Sequence, residues 1–143
     1  QVAGQTLTQQ IGEWSADRYD GNLRGSVDAV LGTVVQGWAF DLDGEDVAHQ
    51  ALPVSIYIDG EYVASTIANI ERQDLVSAFP LWSVGAWHGY NVSLNIPARF
   101  RDGGVHGVEV FGLEYTEGRM TKIGETYYRT IDANSVMGSV PTM

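Results

Sequence analysis

No cysteine occurs among the 143 residues. That excludes disulfides, thiolate metal sites and cysteine nucleophiles together, so stability has to come from a packed core. Cationic side chains are also scarce: eight Lys and Arg face eighteen Asp and Glu, a formal net charge of -10. A surface of that sign repels nucleic-acid phosphates and anionic lipid, so nucleic acid is not an expected partner. No apolar run approaches the roughly 20 residues of a membrane-spanning helix, and membrane insertion is not expected either. The Gly-x-Ser-x-Gly turn of serine hydrolases is missing. So is a glycine-rich phosphate loop.

What is there is a chain of hydrophobic fraction 44%, enough to build one sizeable core. Its dominant pattern is alternation with a period of two, the mark of half-buried strands. In Val54-Ser55-Ile56-Tyr57-Ile58, positions 54, 56 and 58 face a core. Asp59-Gly60 follows, and Glu61 to Thr66 returns. Asp-Gly between two such runs predicts a hairpin with a type I′ turn, which needs positive φ at both central residues. Strands are expected at about 26–30, 33–41, 53–58, 61–68, 90–96, 105–115 and 120–131, with room for one more near the N-terminus. Only Ile70 to Phe79 has a helical option, with Asn69 as the candidate cap. Seven or eight turn-bounded strands imply an all-β, Ig-like antiparallel sandwich. The organisation expected is an N-terminal arm over 1–24, a sandwich domain over 25–131 and a C-terminal tail over 132–143.

The arm and tail are polar with isolated apolar anchors. These are Val2, Leu7, Ile11, Trp14, Tyr19 and Leu23 in front, and Val136, Met137, Val140 and Met143 behind. Leu7, Ile11 and Trp14 have the spacing of one helical face, or serve as anchors laid on a neighbour. An exposed sheet edge accepts such an arm as an added strand, so self-association through 1–24 and 132–143 is expected.

Asp41-Leu42-Asp43-Gly44-Glu45-Asp46 crowds carboxylates beside a strand end. Two readings fit: a calcium site on Asp41, Asp43 and Asp46, or a solvated turn whose Asp side chains bond nearby backbone N–H groups. An EF-hand is excluded, because Leu52 stands where the final bidentate Glu belongs. No other cofactor is expected. Arg72-Gln73-Asp74 reads as an anion clamp or as a loop-fixing ion pair. His49, His88 and His106 lie on separate segments, and a zinc site would need them to meet in space. Carboxylates are plentiful, but none sits in an apolar context that would raise its pKa, so catalysis is not expected. The aromatics are the better lead. Trp38, in mid-strand, is expected in the core. Trp82 and Trp87 flank Ser83-Val84-Gly85-Ala86, with Phe79 and Tyr90 at the ends. Either these tryptophans fold inward as a satellite cluster, or they stack on sugar rings and fill partner pockets. On the second reading the ligand-binding residues are Trp82, Trp87 and Tyr90.

The ordered set Gly25-Ser26-Val27-Asp28, Gly37-Trp38-Ala39 with Asp41, Asp59-Gly60 with Val63, Ala68-Asn69, Arg72-x-Asp74, His88-Gly89-Tyr90, Ile96-Pro97 and Gly104-Val105-His106 resembles a bacterial Ig-like β-sandwich module recognised by Gly-Trp-Ala. The match covers about 25–115. The segment around His49 and Leu81-Trp82-Ser83-Val84 depart from it by lengthening two loops. Such modules sit in secreted and surface proteins and beside carbohydrate-active enzymes. The resemblance implies a non-catalytic, extracytoplasmic unit, and a start at Gln1 fits removal of an export signal. The expected function is adhesion or surface binding, with carbohydrate or a surface protein as partner. The alternative is a structural subunit of an extracellular assembly: a filament, a surface layer or a virion decoration. The expected location is extracellular, at the cell surface or on a virion exterior.

Overall fold

The computed structural model describes residues 23–42, 48, 50–80, 84–114 and 118–139. Along them run β1 (Leu23–Leu31), β2 (Val34–Asp41), β3 (Leu52–Ile58), β4 (Glu61–Ala68), β5 (Ile70–Glu71), α1 (Asp74–Ala78), β6 (Trp87–Ser93), a 3-10 turn (Ala98–Phe100), β7 (Val105–Leu113), β8 (Met120–Ile131) and β9 (Met137–Ser139). Two antiparallel sheets form, ordered β1-β2-β6-β5 and β4-β3-β7-β8-β9. Hairpins β1-β2 and β3-β4 lie in opposite sheets, β6 inserts between β2 and β5, and β7 returns beside β3. In immunoglobulin lettering this is A-B-E-D against C′-C-F-G, with β9 added, so the expected Ig-like sandwich is the observed one.

The strands follow the alternation. Val54, Ile56 and Ile58 of β3 and Val108 and Val110 of β7 are each 0% exposed. They meet Val35 and Ala39 of β2 and Tyr90 of β6 in the main core. Each such aliphatic side chain removed from water contributes about 1.5–3 kcal/mol. The β3–β4 turn has φ 50 at Asp59 and φ 82 at Gly60, the predicted type I′ geometry.

Four details differ from the sequence reading. The described residues hold nine strands rather than seven or eight, because β5 and β9 are too short to show a period. β1 starts at Leu23, inside the segment assigned to the arm. β9 lies within the segment assigned to the tail: Met137 is 0% exposed, and β9 pairs with β8. The Gly32 and Met137 amides also exchange hydrogen bonds of 2.9 and 2.6 Å, tying the β1–β2 turn to the edge of the other sheet. Finally, α1 is capped by Gln73 with no side-chain hydrogen bond, not by Asn69.

Trp38 is displaced as well. It is half-buried and stacks on Phe40 at 5.5 Å and 18°, with Phe79 at 5.1 Å, apart from the main core. Tyr90 takes the central aromatic place instead. Its Oη donates to the Ser26 carbonyl at 3.0 Å. Gly37 makes room for that contact: a Cβ there would stand 2.0 Å from the Ser26 oxygen and 2.6 Å from Tyr90 Oη.

Candidate functional site

Of the three aromatics singled out in the sequence, Tyr90 and Trp87 are described and differ in exposure. Tyr90 is 2% exposed, and burial pushes its phenol pKa up. It is a core residue, and its ring is not available for stacking. Trp82 lies outside the described residues. Trp87, at the start of β6 and in register with Glu71, is 49% exposed.

Of the calcium trio, Asp43 and Asp46 lie outside the described residues. Asp41 is 0% exposed at the end of β2. The Gln50 side chain grips its backbone, accepting from the Asp41 N–H and donating to the Asp41 carbonyl at 2.9 Å. Among the described residues no group of three His, Asp or Glu could hold a metal ion. None of their helices is long and apolar enough to cross a membrane.

Arg72 acts as a brace. Its Nε and Nη2 donate to the Asp74 carboxylate at 3.0 and 2.7 Å, and Nη1 donates to Asp28 Oδ2 at 2.7 Å. The bonds to Asp74, then those to Asp28, push the guanidinium pKa further up. The guanidinium thus joins β1 to the start of α1, and the aliphatic stem of Arg72 lies over Gly89, where a Cβ would stand 2.7 Å from Arg72 Cγ. An open depression of about 370 Å³ borders this brace, lined in part by Gln36, Ile70 and Asn91.

The two described histidines stand on different sheets. His49 is outside the described residues. His88, on β6, is 0% exposed with Nε2 on the Val84 carbonyl and no partner at Nδ1. Burial pushes its pKa down, against a smaller opposing effect of Val84. His106, on β7 of the other sheet, sits between Asp59 and Asp102.

One aromatic surface feature escaped the sequence reading. On the outer face of the five-stranded sheet, Tyr57 of β3 meets Tyr62 of β4 at 5.9 Å and Phe111 of β7 at 5.3 Å, both edge-to-face. Met120 of β8 extends the row. Tyr62 is 56% exposed and Met120 38%. A depression of about 240 Å³ opens among Tyr57, Gly60, Glu109, Phe111 and Met120. Its polar margin is an ion pair of 3.1 Å between Lys122 and Glu109, with the Thr126 hydroxyl donating to Glu109 at 3.2 Å. The signal was present in the alternation: if Val54, Ile56 and Ile58 point inward, Tyr57 points outward, and the Asp-Gly turn sets Tyr62 beside it.

No family model matches the chain, and no curated protein or solved structure matches it.

Proposed function

We propose that this chain is a non-catalytic, extracellular or cell-surface binding module that contacts neutral saccharide chains through the outer face of its five-stranded sheet. The observation that carries the reading is the row Tyr62, Tyr57, Phe111 and Met120, one side chain from each of four adjacent strands. Aromatic rings offer an apolar face to the axial C–H groups of a pyranose. Glu109, Lys122 and Thr126 stand beside the row to bind hydroxyls, the usual division of labour in a ligand site. A row that runs across four strands suits a chain better than a single sugar. A formal net charge of -10 disfavours an acidic polymer. The resemblance to Gly-Trp-Ala modules supports the same location and the lack of chemistry. Trp87 is a second contact point outside this row.

Cellohexaose, xylohexaose and mannohexaose are suitable probes. Wild type should bind at least one of them by calorimetry. Replacing Tyr57 or Tyr62 with Ala should remove on the order of 1 kcal/mol of binding, roughly a fivefold weaker Kd. Absence of binding to all three, or undiminished binding by both variants, would refute the reading.

One observation favours the alternative of a structural subunit. The outer edge of β4 carries no strand partner among the described residues, and such an edge is a template for an added strand. Native mass separates the two readings: a polymer or large ring supports a building block, and a monomer supports a binder.

A further inference from the structure

His106 is 9% exposed and is gripped from both sides. Nδ1 is 2.6 Å from Asp59 Oδ2, and Nε2 is 2.8 Å from Asp102 Oδ1. An ionised carboxylate only accepts, so both ring nitrogens must carry hydrogen, and only the imidazolium does. A neutral ring satisfies one carboxylate and turns a lone pair toward the other.

The two carboxylates belong to different turns. Asp59 opens the β3–β4 turn, where its Oδ1 accepts the Gly107 N–H at 2.8 Å and its own N–H donates to the Gly107 carbonyl at 2.8 Å. The next residue, Gly60, lines the depression beside the aromatic row, and Tyr57 and Tyr62 flank the turn. Asp102 lies between the 3-10 turn and β7, where its Oδ1 also accepts the Gly104 N–H at 2.9 Å.

Other groups around the ring do not compete for it. The Phe100 ring meets it edge-on at 5.5 Å. Arg99 lies over Phe100 and is paired with Glu61 at 2.6 Å. Arg101 Nε is buried without a partner. Arg129 is the cross-strand neighbour of His106 on β8, but its guanidinium donates to the Val30 and Tyr128 carbonyls.

We propose that His106 is an acidity-operated clamp: as imidazolium it ties the Asp59 turn to the Asp102 turn and steadies the Gly60 border of the aromatic row, and deprotonation releases one tie and weakens saccharide binding there. Only the last step rests on the saccharide reading. Titration directions agree with the geometry. Burial works against the charge on His106, but the bonds to Asp59 and Asp102 outweigh it and hold the pKa above 6.5. Burial likewise opposes ionisation of Asp59, and the bonds from His106 and the Gly107 amide outweigh it, holding the pKa below 3.8. The bond from His106, then that from the Gly104 amide, holds Asp102 below 3.8. The contribution of His106 is therefore complete below pH 6.5 and is lost as pH rises through its raised folded value. The carboxylate contributions are lost at the acid end, as pH falls through their depressed values.

The test follows the His106 Cε1–H resonance from about pH 5 to about pH 9. Alongside it are measured exchange of the two amides held by the turn carboxylates, Gly107 on Asp59 and Gly104 on Asp102, referenced to Val35 in the core, and cellohexaose affinity. His106 should titrate above 6.5. The two amides should lose protection over that same range, and Kd should rise roughly threefold, a small change by the affinity scale. Asp102→Asn should lower the His106 titration and carry both effects down with it, and His106→Gln should flatten them. Titration at or below 6.5, or amides indifferent to it, would overturn the clamp. Cellohexaose bound with a pH-independent Kd while the amides respond would overturn its coupling to the row. No cellohexaose binding at any pH, with responding amides, would uphold the clamp and overturn the saccharide reading for this probe together with the last step.

Discussion

Replacing Gly37 with Ala adds one methyl group at the point where β1, β2 and β6 are held together. Its Cβ would stand 2.0 Å from the Ser26 backbone oxygen, 2.6 Å from Tyr90 Oη and 2.9 Å from Tyr90 Cζ. The nearest atom belongs to a paired strand rather than to a flexible side-chain tip, so relief requires moving backbone. Overpacking of a core costs about 1–3 kcal/mol, and a backbone clash belongs at the upper end. Tyr90 must also give up its bond to the Ser26 carbonyl, worth about 1 kcal/mol. Against this, alanine restricts the unfolded chain and returns about 0.4–1 kcal/mol. The net loss should be about 3 kcal/mol, or on the order of 10 °C in melting temperature. Gly103 is the control. It has φ 77 and nothing within 4 Å of a built Cβ, so Ala there costs only left-handed strain, about 1 kcal/mol. Urea unfolding of the two variants, compared at equal m-value, decides the matter. If Gly37→Ala loses no more than Gly103→Ala, the account of how Tyr90 is seated is wrong.

Two further outcomes follow from the chain ends and the acidic turn. Met137→Ala, at a residue 0% exposed in β9, should cost about 2–5 kcal/mol in urea unfolding; a loss below about 0.5 kcal/mol, the range of surface substitutions, would return this strand to a dispensable tail. Melting temperature should be the same in millimolar calcium and in chelator, because Asp41 is 0% exposed at the end of β2; a rise with calcium would support the metal reading of Asp41, Asp43 and Asp46 by mass action.

The fold was legible because its signals are local. β3 and β4 are announced by alternation on either side of Asp59-Gly60, and both the strands and the positive φ values agree with that pattern. β5 and β9 were not legible, since two or three residues cannot display a period. What holds β9 is tertiary: a buried Met137 and a bridge to Gly32 more than a hundred positions earlier. Composition read the last segment as a tail because it is mostly polar, yet one well-placed apolar side chain and a strand edge suffice to seat Met137–Ser139 within it. Trp38 and Tyr90 show a similar limit. Both belong to alternating segments, but which one enters the core depends on the missing Cβ of Gly37, and that is a fact of three strands meeting.

The candidate site was less legible, for a physical reason. Searching loops for tryptophan rests on the rule that loops carry function, and it selected Trp82, Trp87 and Tyr90. A sandwich also has two outer sheet faces, and these are composed by register across strands rather than by neighbours in sequence. Tyr57, Tyr62, Phe111 and Met120 span more than sixty positions, yet β4, β3, β7 and β8 set them side by side. The His106 clamp has the same character: Asp102 is four residues away, but Asp59 is forty-seven. The two features share the Asp59-Gly60 turn. Its type I′ geometry places the Asp59 carboxylate on His106 and the Gly107 amide at one side, and Gly60 beside Tyr57 at the other. A dipeptide read in the sequence as a hairpin signal and as one element of a family resemblance is therefore the point at which an ionisable core group meets the aromatic face. Any change that unseats Asp59 should disturb both, whereas a change confined to Tyr62 should leave the His106 titration where it is.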